Sequence, residues 1–112
     1  MVLATLQELP GAFPADDLYD YAYVVKYAID SVVHGTITSD TIYVEQYKPK
    51  QSRAVAGKSS GGKTGGNLDL MRAGDRHYLV LQPSDSVWSG AVEDNFPQST
   101  APRWWASWTD RI

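Results

Sequence analysis

The strongest constraint on this chain is an alternating run over residues 18–33. Its odd positions carry Tyr19, Tyr21, Tyr23, Val25, Tyr27, Ile29 and Val33, while the even positions mix apolar residues with Asp20, Lys26 and Asp30. Successive side chains of a strand point to opposite faces, so a period of two marks a β-strand with one buried face. Sixteen residues is long for one strand. Such a strand is expected to bend or bulge, and it can serve both sides of a barrel.

Further strands follow. The turn His34-Gly35 and the break Ser39-Asp40 lead to residues 41–47, Thr-Ile-Tyr-Val-Glu-Gln-Tyr, rich in β-branched and aromatic side chains. The short connection makes this strand antiparallel to the first. Residues 77–81 form a third, stopped by Pro83, and residues 103–109 a last one. Simple alternation there puts Trp104, Ala106 and Trp108 on one face and Arg103, Trp105, Ser107 and Thr109 on the other. Asn67 is placed to cap a helical turn over residues 68–72, with Gly74 ending it. Trp88, Val92 and Phe96 are expected as packing anchors in the mixed stretch between residues 84 and 102.

The 112 residues suit one domain, 1–112. Residues 1–17, with Pro10, Gly11 and Pro14, read as a lead-in arm with room for one short strand or helical turn at residues 2–9. Residues 50–66 read as a flexible Gly/Lys/Ser-rich loop with too little apolar surface to order itself. The fold expected is mainly β: a small antiparallel OB-like barrel or sandwich of five to six strands with one short helix.

Residues 57–64, Gly-Lys-Ser-Ser-Gly-Gly-Lys-Thr, match the phosphate-loop pattern letter for letter. That chemistry needs a hydrophobic strand before the loop and a helix directly after it. Residues 51–56 are too weak for a buried strand, and Gly65-Gly66 follows where a helix would start. The match is read as chance, and the chain as not an enzyme. His34 and His77 have no G-x-S-x-G elbow and no metal-ligand spacing, and Asp16, Asp17 and Asp20 lack a calcium-loop pattern. No catalytic residue, metal or cofactor is expected. With no cysteine, disulfides and thiolate sites are excluded.

The segment from Tyr23-Val24-Val25-Lys26-Tyr27 through Val32-Val33-His34-Gly35, with Asp40-Thr41-Ile42-Tyr43-Val44 and Ala73-Gly74-Asp75-Arg76-His77-Tyr78-Leu79-Val80-Leu81, resembles small OB-like β-barrel domains of bacteria. The chain is also similar to β-domains that accompany bacterial polysaccharide-modifying proteins. It departs from the pattern at Ser39, where a Gly is usual, and in its Gly/Lys-rich insertion. The resemblance implies a fold and carries no catalytic residues.

Ten basic against thirteen acidic side chains, net −3, disfavour nucleic acid as a partner. No run is apolar enough to span a membrane, and the compartment stays open. Seven Tyr, four Trp and two Phe direct attention to aromatic recognition instead. The expectation is a non-catalytic binding module for carbohydrate, with Tyr43, Tyr47, Trp104, Trp105 and Trp108 as contacts. The alternative is a structural or interaction protein that buries exposed aromatics in a homodimer or a protein partner.

Overall fold

The computed structural model describes residues 1–9, 21–94 and 96–112, with the side chains of Tyr21 and Ala91 left aside. The start of the alternating run and Asp16, Asp17 and Asp20 lie outside the described residues. Among the described residues six strands form: β1 (Val2–Glu8), β2 (Tyr21–Val32), β3 (Thr41–Tyr47), β4 (Arg76–Pro83), β5 (Ala91–Glu93) and β6 (Arg103–Arg111). The α-helix α1 (Arg53–Ser59) lies between β3 and β4, and a 3-10 turn at Ser84–Ser86 follows β4.

The strand order β1-β4-β6-β3-β2 closes on itself because β1 also pairs with β2, leaving β5 outside the closed circuit of five. Closure removes the free edges that an open sheet would expose. The circuit, with its helix after the third strand, is consistent with an OB-like barrel. The sheet is mixed, where the sequence reading had it antiparallel: β6 runs parallel to β3, and β5 parallel to β2. Residues 2–8, assigned to a lead-in arm, are a full stave of the barrel, paired on both sides.

β2 serves both sides, as its length predicts. Residues 22–28 pair with β3, and residues 26–32 pair with β1 through two register shifts. The shifts let the long ribbon coil. Its odd residues Val25, Tyr27 and Ile29 enter the lumen, where Val2, Ala4, Leu6, Ile42, Val44, Leu79 and Ala106 meet them. Leu68 and Met71 pack into the same cluster from a stretch without helix, so the turn expected at residues 68–72 is absent.

The helix lies instead at α1, where Ser52 Oγ caps it by accepting from Val55 N at 3.2 Å. Its first residue, Arg53, is fully buried. Arg53 Nη2 donates to the Lys48 and Gln51 carbonyls at 2.9 and 3.1 Å, and Nη1 to Gln46 Oε1 at 3.4 Å. Gln46 Nε2 in turn donates to Thr109 Oγ1 at 3.0 Å and to the Tyr27 hydroxyl at 3.4 Å. The Tyr27 hydroxyl lies 2.8 Å from His77 Nδ1. Burial raises the Tyr27 phenol, which therefore keeps its proton. A buried polar chain of this kind is tolerated because nearly every member has a partner.

Beyond α1 the chain is laid along β6. Thr64 Oγ1 donates to Ala106 O at 2.8 Å, Trp105 Nε1 to Lys63 O at 2.8 Å, Thr109 N to Gly65 O at 3.0 Å and Arg111 N to Asn67 O at 3.2 Å. The stretch read as structureless thus holds a helix and a run bonded to the barrel wall.

Candidate functional site

Alternation along β6 breaks at one place. Val80 of β4 faces Trp108, but Leu81 faces Ala106, so Ser107 is an extra residue. The bulge reverses the parity of everything after it. Ala106 and Thr109 are therefore both buried, while Trp108 turns to the outer side and is 46% exposed. The sequence reading grouped Trp108 with Trp104 and Ala106, and the bulge separates it from them.

The outer face of β3 presents Tyr43, Glu45 and Tyr47, with Trp105 beside Glu45 on β6. The loop from β4 to β6, residues 84–102, crosses this face. Trp88 from the loop stacks on Trp105 with centroids 5.2 Å apart and 17° between planes, and meets Tyr47 edge-on at 5.2 Å. A Cβ on Gly90 would fall 2.5 Å from the Trp88 ring, so glycine is what lets the loop close here. The result is a second small core in which Tyr47 and Trp105 are 1% and 0% exposed.

Tyr43 lies further along the same strand, half-buried. Phe96 tilts against it with centroids 5.2 Å apart, and the Arg103 guanidinium stands 4.6 Å from its ring centre. Arg103 organises the loop that carries Phe96. It bonds both carboxylate oxygens of Asp94, at 2.8 and 3.4 Å, and the carbonyls of Phe96, Ser99 and Ala101, at 2.9, 3.3 and 2.8 Å. Around Tyr43 and Phe96 opens a shallow groove of about 320 Å³, edged by Gln98, Ser99, Lys26 and Glu8. Lys26 Nζ and Glu8 Oε1 form an ion pair at 3.8 Å.

Glu45 sits behind the groove on the same strand face. Ser84 donates its hydroxyl to Glu45 Oε2. Burial, reinforced by the Asp94 and Asp85 charges and opposed by Arg103, pushes its carboxyl up to about 7. Burial also works to raise Asp94, but hydrogen bonds from Arg103 and the Phe96 amide, with the Arg103 charge, carry it below the usual carboxylate range.

The five aromatics expected as contacts thus separate. Tyr43 lines the groove. Tyr47 and Trp105 are buried under Trp88. Trp104 lies half-buried at a barrel mouth and packs on the lumen core. Trp108 is exposed, its Nε1 donating to Asp110 Oδ1 at 2.9 Å. The groove residues Lys26, Gln98 and Ser99 were not singled out in the sequence. Lys26 stands directly across from Tyr43 in the β2–β3 pair, so it follows from the strand register. No local pattern ties Gln98 and Ser99 to Tyr43, because they reach it on a loop held by Arg103. Phe96 was read as a packing anchor, and it packs on Tyr43.

The phosphate-loop pattern falls across the end of α1 and the turn after it, with Gly57, Lys58 and Ser59 helical and the Thr64 hydroxyl engaged by Ala106 O. His34 is exposed and His77 is buried in the lumen. Among the described residues no group of three or more His, Asp or Glu side chains is placed to hold a metal. No model of a known protein family, no curated protein and no solved structure matches this chain, so its function is argued from the barrel and the groove themselves.

Proposed function

We propose that the protein is a non-catalytic binding module that takes a neutral saccharide in the groove between β2–β3 and the loop of residues 84–102. The observation that carries the reading is the Tyr43–Phe96 ring pair in a groove edged by Gln98, Ser99 and the Lys26–Glu8 pair. Aromatic rings accept the apolar face of a sugar, while amide, hydroxyl and charged groups supply donors and acceptors for its hydroxyls. The Lys26 and Glu8 charges offset each other, which favours a neutral ligand over a polyanion. The outer β2–β3 face and the adjoining loops are also where OB folds bind oligosaccharides and oligonucleotides.

The test is calorimetric titration with neutral oligosaccharides, an acidic oligosaccharide and single-stranded DNA. Saturable binding of a neutral oligosaccharide is expected, weakened roughly five-fold or more in Tyr43→Ala or Phe96→Ala, for a lost aromatic contact of about 1–3 kcal/mol. No binding across the panel, or binding indifferent to both substitutions, would sink the reading. The second reading, self-association, rests on exposed Trp108. Concentration-dependent dimerisation abolished by Trp108→Ala would favour it.

A further inference from the structure

At the mouth of the barrel where β3 begins, a second depression of about 270 Å³ opens. The half-buried ring of Trp104 and the side chains of Ile42 and Pro102 give it apolar surface. Four hydroxyl-bearing residues, Thr36, Thr38, Ser39 and Thr41, are among those that line it. Among the described residues none of its lining is charged, and none lines the groove at Tyr43.

The indoles of Trp105 and Trp108 donate to Lys63 O and Asp110 Oδ1. Trp104 and Thr41 are half-buried in the hollow, and Thr36, Thr38 and Ser39 are exposed at its rim, where their hydroxyls meet solvent. A half-buried indole N–H usually finds an acceptor. Here Trp104 and four hydroxyl-bearing residues line one hollow whose described lining carries no charge.

We infer that this hollow is a separate binding site for one neutral, hydroxyl-rich ring, a pyranose or a cyclic polyol, held against Trp104 and bonded by the Thr and Ser hydroxyls. The chemistry sets each part of that class. An apolar wall beside hydroxyls matches a ring with a C–H face and an equatorial rim of hydroxyls. A charged ligand would be desolvated with no counter-ion. Ligand pockets begin at about 300 Å³, so the volume suits one ring rather than a chain.

The experiment uses the full ¹⁵N-labelled chain, with the Trp104 indole resonance assigned by its loss in Trp104→Phe. The probes are D-glucose, D-galactose, N-acetylglucosamine, myo-inositol, glucuronate and cyclohexanol. A saturable shift of the Trp104 indole with a neutral pyranose or inositol, and none with glucuronate, is expected. It should persist in Tyr43→Ala, so failure of the groove reading leaves this one standing. Thr38→Val and Thr41→Val should each weaken it roughly three- to ten-fold, the value of one hydrogen bond. Silence with every sugar, a response to cyclohexanol alone, or affinity unchanged by both valine variants would overturn the inference.

Discussion

Arg103 makes five hydrogen bonds, two to Asp94 and three to carbonyls of the loop it closes. A planar guanidinium can serve all of them at once, and an ammonium cannot. Arg103→Lys should therefore leave loop carbonyls unpaired and cost about 1–3 kcal/mol in urea unfolding. Amide exchange should quicken over residues 94–101 and remain slow in β1 and β4. Unchanged exchange in that loop would show that the packing of Phe96 alone holds it. Arg103 was visible in the sequence only as a polar residue at a strand start. Its role depends on carbonyls that approach it through a loop whose path no local pattern encodes.

At the scale of elements, the run from α1 to β4 is held to β6 by close backbone approach. Gly66 has a φ of +133°, and a Cβ there would fall 1.9 Å from Thr109 O. Gly66→Ala adds steric conflict to an unfavourable backbone region and should destabilise by about 3 kcal/mol or more. Thermal unfolding would check it, and a loss under about 1 kcal/mol would mean that the run lifts off β6 at little cost. The strands β2, β3, β4 and β6 were legible because periodicity and β-branched content are local properties, while β1, equal in length to β3, was not told from a helical turn. β5 and α1 were not read. Three residues of Ala-Val-Glu carry no period, and the helix is fixed by the Ser52 cap and by the Arg53 bonds inside the barrel end.

At the scale of the whole molecule, two groups shape the pH dependence of the barrel in opposite senses. Glu45 titrates near 7 when folded, against 4.5 in its ordinary state. Its contribution is full below 4.5 and is lost as pH rises through 7. Burial lowers His77, aided by the Arg53 charge and opposed by Asp75. Its contribution is full above 6.5 and is lost as pH falls below that value. Glu45→Gln keeps an acceptor for Ser84 and removes the first effect alone. It should match the wild type at about pH 4 and exceed it by about 1–2 kcal/mol at about pH 8, solvent screening allowed for. Urea unfolding at both pH values checks this. A gain equal at both would mean that Glu45 acts through packing.

The mainly β class, the long two-sided strand, the strands at residues 41–47, 77–81 and 103–109 and the shared face of Val25, Tyr27 and Ile29 were determined by the sequence alone, because a two-residue period reports which side chains share a face. Tertiary structure alone decided the parallel closure of β3 on β6, the bulge at Ser107 and the fate of each aromatic. A period cannot say which face another segment will cover. Trp105 and Tyr47 became core only because Trp88 crosses over them, and Trp108 became surface because one extra residue opposite β4 reversed its side.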